Sequence, residues 1–165
     1  MKFFFILFLI LILVGCSQSP KVSLEGFEKQ GEEYVLGSLT VEIVPFGKYS
    51  KSDARNFLET KSIQIDSLYQ SHPSPYPGMI SDEILCSDEF KPEIFFDEEK
   101  IQLRISGYLT PRGTFGACAW DLIESKHHIV FLFCNGELYS VAASFPYNDS
   151  EANNLSKKII ETSTC

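Results

Sequence analysis

The sequence predicts an α+β fold built on an antiparallel sheet, and three observations carry that expectation. Short alternating or β-branched stretches joined by tight-turn signals run from Glu93 to Phe145, one helical stripe precedes them after Ser52, and a second follows Asp149. Strands grouped apart from helices belong to the α+β class, in which helices cover an antiparallel sheet. The expected architecture is an antiparallel β-meander with two helices packed on one face, braced by disulfides.

Leu39 to Val44 alternates Leu, Val and Ile with Thr and Glu, the period-two pattern of a half-buried strand, and Pro45 closes it. Ser52 as N-cap and Asp53 in the first turn start a helix. Its apolar stripe is Ala54, Phe57, Leu58, Ile65, Leu68 and Tyr69, and the β-branched patch Ile63-Gln64-Ile65 is its weakest stretch. Pro73, Pro75 and Pro77 then force an extended loop from His72 to about Pro92, which holds Cys86.

The meander follows as Glu93 to Phe96, Ile101 to Leu109, Thr114 to Glu124, His128 to Cys134 and Glu137 to Phe145. Its turns fall at Asp97–Lys100, at Thr110–Thr114, around Lys126 and at Asn135-Gly136. Asn-Gly is the strongest of these signals, because a type I′ turn needs positive φ at both central residues. Ala152, Leu155, Ile159 and Thr162 then repeat at helical spacing behind Asp149 or Ser150 as N-cap, in a short amphipathic helix ending at Cys165.

The turns dictate a register. A turn centred on Lys126 sets Cys118 opposite Cys134, Trp120 opposite Leu132 and Leu122 opposite Val130, while the Asn135-Gly136 turn sets Tyr139 opposite Leu132 and Val141 opposite Val130. These residues share one face because side chains alternate along a strand. Opposed Cα atoms lie about 4.5 to 5.5 Å apart, within disulfide reach. Cys118–Cys134 is therefore the expected bridge, and Cys86–Cys165 follows by elimination.

The first sixteen residues carry the clearest motif. One Lys precedes twelve apolar residues, Phe3 to Val14, which end on Gly15-Cys16. A helix of that length rises about 18 Å at roughly 1.5 Å per residue, against a hydrocarbon core of about 30 Å. Such a segment is too short to span and reads as a secretory leader. Leu13-Val14-Gly15-Cys16 resembles the lipobox of bacterial lipoproteins. The resemblance implies diacylation of the Cys16 thiol, cleavage between Gly15 and Cys16, and acylation of the new amino group. Two or three chains anchor stably where one does not. Ser17 stands where an aspartate tends to retain such proteins in the inner membrane, so the resemblance implies the outer membrane, facing the periplasm, in a Gram-negative host. The expected organisation is a leader over residues 1–15, a lipidated N-terminus and tether over 16–37, and one domain over 38–165.

Composition narrows the function. The chain has 14 Lys and Arg against 22 Asp and Glu, and loss of Lys2 with the leader takes the net charge from −8 to −9. Nucleic acid is held by clustered Lys and Arg, and this chain has no such cluster, so no nucleic-acid partner is expected. Cys86, Cys118, Cys134 and Cys165 form an even set without a CxxC spacing, which points to disulfides rather than to zinc or redox chemistry. His127 and His128 are adjacent, so on a strand they point to opposite faces and do not share a metal. The acidic pairs lack the EF-hand spacing, and no G-x-S-x-G, H-E-x-x-H or phosphate-loop motif is present.

No enzyme activity, cofactor or metal is expected. The expected role is a membrane-anchored, non-catalytic binding or accessory component of an envelope complex. Its partner surface is expected at Tyr76 and Met79 of the Pro-rich loop, or at Phe131 and Phe133, which fall on the face opposite Trp120 and Tyr139. The alternative expectation is a small carrier of a lipid or other apolar ligand.

Overall fold

A computed structural model describes residues 19–70, 92–111 and 123–165. Seven strands and two helices follow in the order β1 (Glu28–Gln30), β2 (Glu33–Leu36), β3 (Leu39–Lys48), α1 (Lys51–Gln70), β4 (Glu93–Asp97), β5 (Gln102–Pro111), β6 (Ile123–Cys134), β7 (Glu137–Pro146) and α2 (Ser150–Thr162). The strands form one antiparallel sheet in the order β1-β2-β3-β7-β6-β5-β4. The chain leaves β3 in the interior of the sheet, passes through α1 to the far edge at β4, and meanders back until β7 closes on β3.

The α+β class and the antiparallel sheet are as expected, but the helices lie on opposite faces rather than on one. Val130, Leu132, Tyr139, Val141 and Ala143 pack with Ala152, Ile159 and Ile160 of α2. Leu103, Ile105, Phe131 and Leu138 pack with Ala54 and Leu58 of α1. The cause is visible in β6, where Val130-Phe131-Leu132-Phe133 is apolar at every position. Successive side chains point to opposite faces, so this strand needs cover on both.

The Asn135-Gly136 turn is as expected. Both residues have positive φ, 50° and 88°, and Leu132 faces Tyr139 while Val130 faces Val141. The expected turn at Lys126 does not exist. Ile123–Cys134 is one strand, in which Lys126 faces Leu109 on one side and Phe145 on the other. The polar residues Lys126, His127 and His128 do not break it, because both imidazoles find hydrogen-bond partners within the domain. With that turn gone, the register that set Cys118 against Cys134 disappears.

Cys134 is bonded instead to Cys165, with Cα atoms 5.3 Å apart. This replaces the expected Cys118–Cys134 and Cys86–Cys165 bridges, and Cys86 and Cys118 lie outside the described residues. Most of the expected strand Thr114 to Glu124 lies outside them too.

Four boundaries also move. The stretch expected to be tether up to Gly37 carries β1 and β2, and Val22, Leu24 and Phe27 pack against the α2 core. β3 runs through Pro45 to Lys48 by way of a bulge between Pro45 and Gly47, whose φ of 114° suits glycine. α1 starts two residues earlier than expected, since Ser50 Oγ accepts from the Asp53 N–H at 3.1 Å, and it continues from Lys51 through Ile63-Gln64-Ile65 to Gln70. At α2 the N-cap is Asp149, which accepts from the Ala152 N–H at 2.9 Å and from Ser38 Oγ at 2.5 Å. These two bonds hold its carboxyl below the ordinary range and tie the β2–β3 turn to the helix start. α2 ends at Thr162, with Cys165 beyond it.

Two measurements check this packing. Phe131→Ala removes a side chain that is 6% exposed beneath α1, and chemical denaturation is expected to show a loss of about 3–5 kcal/mol. Non-reducing peptide mapping is expected to yield a peptide joining Cys134 to Cys165; a Cys118–Cys134 peptide would restore the register through Lys126.

Candidate functional site

Of the surface residues singled out from sequence, the described ones, Phe131 and Phe133, pack in one cluster on the α1 face. Phe131 is core beneath α1, where its ring meets Phe46 edge-on at 5.7 Å between centroids. It is therefore removed from the candidate surface. Phe133 is half-buried against the same cluster. Tyr76, Met79, Gly15 and Cys16 lie outside the described residues.

What α1 leaves uncovered is the β3 side of its own face. The bulge at Gly47 sets Phe46 on the α1 face, where it contacts Phe57 at 6.3 Å. Phe46 nonetheless remains 45% exposed and Val44 beside it 42% exposed. Together they form an apolar shoulder along the edge of α1. Phe46 is not legible from sequence because Pro45 reads as the end of the strand, and Val44 reads as its last residue rather than as surface. The signal that could have found them is Gly47, since an isolated glycine in a strand pattern marks a bulge.

A groove of about 840 Å³ runs beside this shoulder, lined by Pro20, Lys29, Glu33, Glu42, Val44 and Pro45. Glu33 and Glu42 face each other across β2 and β3. Partial desolvation, then a hydrogen bond and like charge from Glu33, and then the charge of Glu32, raise the Glu42 carboxyl above its ordinary value. The groove lining mixes charged with apolar side chains.

Farther along the same face, His127 sits between two hydroxyls. Its Nδ1 is 2.7 Å from Ser144 Oγ and its Nε2 is 2.9 Å from Ser125 Oγ. Burial lowers its pKa, so the ring is neutral at pH 7, with one nitrogen donating and the other accepting. Its neighbours on β6 and β7 use their backbone donors in the ladder. The arrangement satisfies a half-buried imidazole between two strands.

His128 points the other way, as adjacent strand residues must. It is 2% exposed and stacks on Phe145 at 5.5 Å. The Gly107 N–H donates to Nδ1 at 3.2 Å, so the proton resides on Nε2, which donates to Asn153 Oδ1 at 3.2 Å. Charging the ring would set an Nδ1–H against the Gly107 N–H. Burial lowers this pKa first, Lys126 and Lys157 add to it, and the Asn153 bond and Glu93 oppose it. Among the described residues no group of three or more His, Cys, Asp or Glu side chains is placed to hold a metal ion.

The two histidines give stability a defined pH dependence. Each has a folded-state pKa below its ordinary 6.5, so the unfolded chain binds more protons in that window and stability falls as pH drops below about 6.5. Urea unfolding at pH 7.5 and 5.5 is expected to show this loss, and His128→Gln to reduce it. Glu42 acts with the opposite sign, since its raised pKa makes the charged form unfavourable in the fold. Glu42→Gln is expected to stabilise by a few tenths of a kcal/mol at pH 7, with the gain disappearing as the carboxyl protonates in acid. Protein-family models, curated proteins and solved structures contain no match to this chain, so its own residues carry the functional reading.

Proposed function

We propose that the mature protein is a lipid-anchored component of a bacterial cell envelope, and that its α+β domain acts by binding a protein partner rather than by catalysis. The observation that carries the anchor is Leu13-Val14-Gly15-Cys16 behind one lysine and ten further apolar residues. No helix among the described residues is long and apolar enough to cross a membrane. Acyl chains on Cys16 supply membrane attachment without a span. Ser17 after the cysteine favours the outer membrane, facing the periplasm, in a Gram-negative host.

The binding reading rests on the Val44–Phe46 shoulder. Contiguous exposed apolar side chains next to polar ones mark interaction surfaces, and here they border the acidic Glu33–Glu42 wall. Tyr76 and Met79 remain proposed contacts from the Pro-rich segment. A net charge of −9 after processing makes a cationic or apolar protein surface a better partner than nucleic acid.

Mass spectrometry of the protein extracted from its own membranes tests the anchor. The expected species begins at Cys16 and carries acyl chains, and a species retaining Met1 to Gly15 with a free Cys16 thiol overturns it. Photo-crosslinking in cells tests the surface. A probe at Val44 is expected to give a discrete protein adduct that a probe at Glu59 on α1 does not; equal labelling from both positions counts against this surface.

A further inference from the structure

The route from Cys16 to the folded body is short, and its landing point is held from two sides. Lys21 and Thr164 exchange backbone hydrogen bonds, from the Lys21 N–H to the Thr164 carbonyl at 2.7 Å and from the Thr164 N–H to the Lys21 carbonyl at 3.2 Å. Beyond Lys21, Val22 and Leu24 pack against the α2 core. Next to Thr164, Cys165 is bonded to Cys134 at the end of β6. Five residues lead from Cys16 to Lys21, and at roughly 3.3–3.6 Å per residue they reach no farther than about 18 Å.

That landing point lies at one end of the sheet. Cys134 closes β6 there, beside the β6–β7 turn at Asn135-Gly136, and the β4–β5 turn at Asp97–Lys100 lies at the same end. α2 runs toward this end and finishes at Thr162. The other end carries the β2–β3 turn at Gly37-Ser38 and the start of α2, joined by the Ser38–Asp149 hydrogen bond. The exit of β5 at Pro111 and the entry of β6 at Ile123 also lie there.

Resting on the anchored reading, we infer that the end carrying Cys134, Asn135-Gly136 and Asp97–Lys100 faces the lipid surface. The strands rise away from the bilayer, and the Ser38–Asp149 end is held farthest from it. A strand of ten residues at about 3.3 Å per residue separates the two ends by roughly 30 Å, more than the stem can reach. Charge does not supply this orientation, because Lys21, Lys48, Lys51, Arg55 and Lys100 at the near end are matched by Asp53, Asp97, Glu98, Glu99 and Glu137. Attraction to anionic headgroups requires a basic excess. The short stem and its two fastenings orient the domain.

Energy transfer to the membrane tests the orientation. The full acylated protein is reconstituted into vesicles of phosphatidylethanolamine and phosphatidylglycerol bearing a headgroup acceptor dye. A donor is carried by a clickable amino acid at Lys100 or at Glu151, both exposed and at opposite ends. Flotation with the vesicles comes first, and a protein that stays behind refutes the anchor itself and the inference with it. In floating protein, transfer from Lys100 is expected to exceed that from Glu151 several-fold; equal or reversed efficiencies overturn the orientation while leaving the anchor intact. Twenty Gly and Ser residues inserted between Ser17 and Gln18 are expected to bring the two efficiencies together, since such linkers are flexible coils. A difference that survives the insertion overturns the short stem as its cause.

Discussion

Val130-Phe131-Leu132-Phe133 in β6 makes both sides of the sheet apolar at its centre, and the rest of the structure answers to that constraint. A strand with one apolar face can leave the other in water, but one with two must lie inside the sheet and be covered above and below. β6 accordingly lies between β5 and β7, with α1 over Phe131 and α2 over Val130 and Leu132. The crossover from β3 through α1 to β4 allows one helix to reach the face that the other leaves open. Bringing β7 back against β3 then places the start of α2 beside the β2–β3 turn.

The same alternation governs the polar residues at the other end of β6. His127 and His128 are consecutive, so one faces each layer, and each layer satisfies its ring by different means. Ser125 and Ser144 hold His127 across two strands. The bulge at Gly107, with φ of 84°, turns a backbone N–H toward His128, and Asn153 of α2 takes the opposite nitrogen. A buried polar group costs little once hydrogen-bonded. This lets the strand continue through a segment whose composition suggests a turn. The arrangement also couples β5, β6 and α2 through one neutral ring.

The fastening at Lys21, Thr164 and Cys165 connects this architecture to the proposed role. On the chain-entropy model, a bridge closing 31 residues contributes about 3–4 kcal/mol. It fixes the segment after α2, which in turn fixes the stem through the backbone exchange at Thr164. An acylated Cys16 would then hold the body close to the bilayer and in one attitude. The Val44–Phe46 shoulder lies on the α1 face of the sheet, two to four residues before Lys48.

The sequence by itself determined whatever depends on neighbouring residues. The Asn135-Gly136 turn with its register, the strand starting at Leu39 and the helix behind Asp149 are all local patterns, read from spacing and backbone preference. Tertiary structure alone decided the pairings and coverings between distant segments. Nothing local in Cys134 distinguishes Cys165 from Cys118 as its partner, and nothing in Phe131 says that Ala54 and Leu58 will cover it. Glu28–Leu36 is polar enough to resemble a tether, yet it adds two strands because β3 offers an open edge for backbone pairing. Backbone hydrogen bonds and burial are satisfied by whichever segment the fold brings near, and that choice is made by the whole chain.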